Sequence, residues 1–155
     1  MRRSDREITD ISVIDTFILN ERILRVGFFD NGEVYIVPVN YGYINNRTDR
    51  FFYFHGAKAG RKYELAKNCA EVGFEIDGCF RMIENEEACG YSAEYRSVIG
   101  NGELSLIDDI DEKKAALDCL MEHQTKRKDW SYSEESLEAT ALFCIRVSKM
   151  TCKSK

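Results

Sequence analysis

Proline is almost missing from this chain: among 155 residues only Pro38 occurs. No Pro-, Ser- or Gly-rich stretch divides the sequence, so no linker is visible and a single domain over residues 1–155 is expected. No apolar run approaches the about 20 residues that cross a bilayer as a helix, so no membrane partner is expected. Positive charge is in deficit, with 22 Lys and Arg against 27 Asp and Glu, a net −5. A general nucleic-acid binder needs a basic face to neutralise phosphates, so that class is not expected either. No apolar segment follows the basic residues of Met1-Arg2-Arg3-Ser4-Asp5-Arg6; no signal peptide is read, and the cytoplasm is the expected compartment.

Several catalytic signatures are missing too. No Cys-x-x-Cys occurs, which speaks against a zinc ribbon or a thioredoxin-like pair. The six cysteines, at 69, 79, 89, 119, 144 and 152, permit disulfides; without an export signal, reduced thiols are expected. No G-x-G-x-x-G follows a strand, and no G-x-S-x-G occurs. His55 and His123 are the only histidines. Cys119 and His123 are spaced i, i+4 and would share a helix face, which is half a metal site. No second pair completes it, so no metal is expected. Cys119 then reads as core, with His123 serving carbonyls at a helix end.

Hydrophobic residues are 44% of the chain, enough for a packed core. Ile8 to Asn20 has helical periodicity, with Thr9 or Asp10 as cap and Ile11, Ile14, Phe17 and Ile18 on one face. Ile23 to Phe29 is β-prone, Asp30-Asn31-Gly32 favours a tight hairpin turn, and a long return strand runs from Glu33 to about Ile44. Pro38 inside that strand marks an edge, a bulge or a backbone facing a ligand. The polar turn Asn45–Arg50 leads to the strand Phe51–Phe54, a loop from Gly56 to Gly60, and a short helix from Arg61 to Asn68. Val72–Asp77 alternates as a strand, Phe80 to Ile83 is a further candidate, and Tyr95 to Leu106 is a strand bent at Gly100 and Gly102. A charged helix spans Asp111 to Gln124 with Ala116, Leu117, Leu120 and Met121 as its apolar face. Ser133 caps a short helix to Glu138, Ala141–Val147 closes as a strand, and the basic tail Met150–Lys155 is expected to fray. Hairpins dominate, so the fold class is mainly β with flanking helices, an antiparallel sheet folded on itself.

Chemistry concentrates between Phe54 and Tyr63. A strand ends at His55, and Gly56 and Gly60 let backbone approach a ligand. A helix starts near Arg61 with its free N–H groups towards the loop. Lys58, Arg61 and Lys62 add three positive charges in an acidic protein. Arg holds two phosphate oxygens in a fork and Lys adds a mobile charge, so this is a candidate anion site. A solvated basic helix start is the plainer alternative. Tyr35 to Tyr43, interrupted by Pro38, exposes backbone suited to a flat heterocycle, or is simply an edge strand. Tyr95-Arg96-Ser97-Val98-Ile99-Gly100-Asn101-Gly102 is a weaker third candidate.

The segments Met1–Ile8, Val37-Pro38-Val39-Asn40-Tyr41-Gly42, Tyr53–Lys62, Tyr95–Gly102 and Glu112–Leu117 resemble the pyridoxamine 5′-phosphate oxidase-like split-barrel flavoproteins, most closely the nitroimidazole-resistance branch. The resemblance covers about residues 1 to 125. It implies a six-stranded antiparallel Greek-key split β-barrel, a homodimer, and FMN at the dimer interface. Arg61 and Lys62 would hold the FMN phosphate, with Lys58 nearby and Phe54 at the edge of the loop. Val37, Pro38, Val39 and Asn40 would line the isoalloxazine, and Ser97 would approach from the later strand. His55 would be the catalytic residue beside the flavin. Relatives that oxidise pyridoxamine phosphate carry further C-terminal cations, a pattern not matched here.

The implied function is an FMN-dependent oxidoreductase acting on nitroaromatic small molecules. A non-catalytic flavin-binding or flavin-sensing module is the alternative, with a haem-binding barrel behind it.

Overall fold

The computed structural model describes residues 3–68 and 71–155. Met1, Arg2, Cys69 and Ala70 fall outside, and with them the reading of Cys69 as a reduced thiol. The elements in chain order are β1 (Glu7–Ile8), α1 (Ile11–Asn20), β2 (Ile23–Asp30), β3 (Glu33–Asn40), β4 (Gly42–Asn45), β5 (Arg50–Ala57), α2 (Arg61–Ala66), β6 (Glu71–Ile83), β7 (Ser92–Ile107), α3 (Ile110–Thr125), α4 (Glu134–Ala139) and β8 (Thr140–Ser154). All strands pair antiparallel in the order β3-β2-β6-β7-β8-β5-β4, with β1 added to β8. The class matches the expectation; the described residues form eight strands, not six.

Two local events make the difference. The long return strand breaks at Tyr41, whose ring is fully buried and whose hydroxyl donates to the Ile18 carbonyl of α1 at 2.6 Å. At the next residue, Gly42, an added Cβ would stand 2.6 Å from the Leu120 backbone nitrogen of α3. The chain turns in under two helices there, where only glycine fits. Second, Ile8 leaves the expected helix and, with Glu7 before it, pairs with Cys152 and Lys153 of β8. The tail expected to fray is therefore strand: β8 continues to Ser154 along β7, and Cys152 is buried. A basic composition does not fray a segment whose backbone is laddered to β7 throughout and to β1 at Cys152 and Lys153.

Strand alternation builds the core. β2 buries Leu24, Val26 and Phe28, and β6 buries Val72, Phe74 and Ile76. Ile14, Phe17 and Ile18 of α1 close the same cluster, each such burial contributing about 1.5–3 kcal/mol relative to exposure. Asp10, not Thr9, is the cap, accepting from the Ser12 and Val13 amides. The two expected strand pieces around Gly78 are one strand, β6, with a bulge between Gly78 and Arg81. A register shift between Asn101 and Gly102 falls at the bend expected in β7.

α3 is capped by Asp109 and lies over β4 and β5. Ala116 and Leu120 are buried beneath it; Leu117 and Met121 are half-buried. Lys113, unremarked in the sequence, is buried with its ammonium 3.4 Å from the Leu137 and Thr140 carbonyls at the α4–β8 junction. Ser133 caps α4 as expected.

Candidate functional site

The three cations grouped in the loop separate in space. Arg61 opens α2 and turns back to the β2–β3 hairpin. Its Nε donates to Asp30 Oδ2 at 2.7 Å and its Nη2 to Glu33 Oε2 at 3.3 Å. The guanidinium lies 4.8 Å from the Tyr35 ring centroid. Lys62 turns the other way. Its ammonium sits 3.4 Å from the His55 carbonyl, over the rings of Phe143 and Phe54 at 5.0 and 5.5 Å. It fits there because residue 56 is glycine: an added Cβ would stand 2.8 Å from Lys62 Nζ. Burial pushes the Lys62 pKa down, and among the described residues no carboxylate pairs with it. Lys58 is exposed on the loop, near enough to Lys113 to help burial lower that ammonium's pKa. α2 is six residues long, so the macrodipole adds little.

His55 is exposed on the outer face of β5, two residues from Tyr53. Its imidazole pKa is held below the ordinary value, first by partial desolvation and then by Lys62. Phe54 points the other way, fully buried and stacked on Phe143 with centroids 4.7 Å apart. It forms the floor beneath Lys62. β3 is an edge strand laddered to β2 alone, which accommodates Pro38. Val37 and Val39 are half-buried against the core; Pro38 and Asn40 face outwards. Asn40 donates to the Arg22 carbonyl and to Gln124 Oε1, tying the strand end to α3. β3 approaches β5 across a seam with no ladder between them.

One chain thus brings Phe54, Gly56 and Lys62 together on the inner face of β5, with His55 on the outer face of the same strand and Arg61 turned to the β2–β3 hairpin. It does not bring Ser97. Ser97 pairs with Asp77 and Lys153, whereas the rung of His55 runs through Leu142 to Ile107, on the order of 30 Å further along β7. Sequence reasoning missed Asp30, Glu33 and Phe143. Asp30 and Glu33 carried a signal: they face each other across the hairpin, and two opposed carboxylates invite a cation.

His123 is buried, its Nε2 3.1 Å from the Leu19 carbonyl and its ring edge-on to Tyr41 at 4.6 Å. The carbonyl it serves belongs to α1, not to its own helix. Burial, then Lys126 and Arg22, holds its pKa down. Among the described residues no three His, Cys, Asp or Glu side chains form a metal-holding group. Cys79, Cys89, Cys119, Cys144 and Cys152 are free thiols.

This seam sits in an antiparallel barrel whose sequence matches, over residues 10–154, the family model described as pyridoxamine 5′-phosphate oxidase. The chain belongs to that family. The protein's resemblance to the nitroimidazole-resistance branch also has a counterpart among solved structures. A proposed 5-nitroimidazole antibiotic resistance protein from Bacteroides thetaiotaomicron is 30% identical, with 96% of this chain and 86% of that chain covered and a TM-score of 0.82. Two other structures share the fold of this pyridoxamine 5′-phosphate oxidase family member. The flavocytochrome Anf3 of Azotobacter vinelandii is 20% identical, covering 100% and 72% of the two chains at TM-score 0.79. The FAD and heme binding protein of Mycobacterium smegmatis is 16% identical, covering 97% and 73% at TM-score 0.82. No curated protein matches the chain. No helix among the described residues is long and apolar enough to cross a membrane.

Proposed function

We propose that the protein is an FMN-dependent oxidoreductase of the nitroimidazole-resistance kind, acting on a nitroaromatic small molecule. In this reading it works in the cytoplasm as a single-domain homodimer with FMN at the interface. The observation that carries the reading is Lys62: a half-buried ammonium with no acidic partner among the described residues, seated on aromatic rings by the His55 carbonyl and admitted by Gly56. A phosphate monoester with close to two negative charges suits that position. Arg61 stands next in the chain and Lys58 on the loop before it. The residues therefore fit an FMN phosphate.

Bound flavin would supply the electron transfer. The chain's own residues bind and orient. Pro38 and Asn40 present the outward edge of β3. His55, its imidazole biased to the neutral form, offers one donor and one acceptor nitrogen to orient a substrate or pass a proton. The homodimer is supported by an apolar outer face around Gly27 and Gly73, where Val34, Ile36 and Ile99 are 71%, 61% and 58% exposed. The nitroimidazole link rests on the 30%-identical Bacteroides relative.

The test is the absorbance spectrum of the purified protein, alone and after adding FMN, followed by reduction of a nitroimidazole with a nicotinamide or chemical reductant. A colourless protein that takes up no FMN overturns the reading. Bound FMN without turnover selects the non-catalytic flavin module instead. Haem ligation would fall to His55, since His123 is committed to Leu19; a Soret band lost in His55→Ala would indicate it.

A further inference from the structure

A cavity of about 420 Å³ lies between α3 and the outer face of the sheet. Its floor is one rung. Tyr53 of β5 pairs with Cys144 of β8, which pairs with Ser105 of β7, so three polar side chains stand side by side on neighbouring strands about 4.8 Å apart. Glu112, in the first turn of α3, contributes a carboxylate to the lining, and Ile44 and Leu106 supply apolar wall. Tyr53, Ser105 and Cys144 are half-buried. Among the described residues, none of their hydroxyl or thiol groups makes a side-chain hydrogen bond, and Glu112 has no cationic partner. Buried polar groups are ordinarily paired with protein or with water. Three half-buried groups that converge unpaired on one pocket, beside an exposed carboxylate, are what a ligand site requires.

The charge decides the ligand. The phenol of Tyr53 is pushed up to about 12, chiefly by burial, and the Cys144 thiol to about 11 by burial and then Glu112. Both stay neutral, so the Glu112 carboxylate is the one formal charge of the pocket.

We propose that this cavity is a second ligand site, taking a small molecule with a protonated amine and an apolar body. The amine pairs with Glu112, the hydroxyls of Tyr53 and Ser105 take its remaining polar contacts, and the body lies against Ile44 and Leu106. This site does not depend on the flavin reading.

The test is an NMR titration of the full chain with 2-phenylethylamine, its neutral analogue 2-phenylethanol and the acid 3-phenylpropanoate. Shifts are expected at the amides of Tyr53, Ser105 and Cys144. The amine should bind about fivefold to tenfold more tightly than the alcohol, and the acid more weakly than either. Glu112 is exposed, so Glu112→Gln keeps the fold; it should erase the preference for amine over alcohol while leaving alcohol binding unchanged. No shifts at millimolar amine, shifts confined to other regions, or a preference that survives Glu112→Gln would each overturn the proposal.

Discussion

Arg61 donates from Nε to Asp30 Oδ2 at 2.7 Å, a bond that ties the start of α2 to the tip of the β2–β3 hairpin. The two acids on Arg61 are not equivalent. Asp30 is the more buried and holds Nε, the inner corner of the fork; Glu33 is exposed and holds Nη2 at 3.3 Å. If Arg61 receives a phosphate, Asp30 orients it and Glu33 competes with the ligand. Asp30→Asn should weaken FMN binding several-fold, and Glu33→Gln should leave it unchanged or tighten it, as read by fluorescence quenching of free FMN. The reverse order would show that Arg61 serves only the hairpin.

Lys62 and Gly56 form a matched pair. Lys62→Ala should raise the Kd for FMN about tenfold with little change in Tm. Gly56→Ala forces the ammonium off its aromatic seat and should cost affinity even though every charge remains. Unaltered FMN affinity in both variants would remove Lys62 from the cradle.

The bend at residues 41–42 should be expensive to alter. Tyr41→Phe strands the buried Ile18 carbonyl and is expected to cost about 1–2 kcal/mol in urea denaturation. Gly42→Ala pushes a methyl into the α3 backbone and should cost about 1–3 kcal/mol. A Gly42→Ala protein as stable as wild type would mean that α3 shifts freely against β4.

Acid should weaken the fold through its histidines. The pKa values of His55 and His123 are both held below the ordinary 6.5, so the unfolded chain binds protons more readily than the native one. Their contribution is present above about pH 6.5 and is lost as pH falls below it. Glu21 and Glu75, raised chiefly by burial, act in the opposite sense near the carboxylate range. Thermal melts from pH 8 to 5.5 should therefore show a falling Tm, and the slope should flatten in His123→Gln. An equal slope in that variant would assign the effect elsewhere.

Much of the barrel was legible because its signals are local. Alternation marked β2 and β6, the Asn31-Gly32 turn has both residues at positive φ as its sequence demands, and Asp10 and Ser133 cap where expected. The missed features depend on contacts distant in sequence. Tyr41 looks like any strand aromatic until α1 offers it a carbonyl. Residues 150–154 look like a loose basic end until β1 and β7 pair with them. At the site, composition located the cations but not their directions. Arg61 and Lys62 are neighbours in sequence, yet one is drawn to carboxylates on a hairpin and the other to aromatic faces beside a glycine.

The two-rung pairing of β1 with β8 also has a mechanical meaning. Glu7 lies opposite Lys153, so the two ends of the chain leave that ladder on the same side. Tension applied between them would peel rungs singly, as a zipper opens, rather than shear many at once. A molecule stretched by its ends should yield first at Glu7–Lys153 and then at Ile8–Cys152, while the long β7–β8 ladder still holds the barrel.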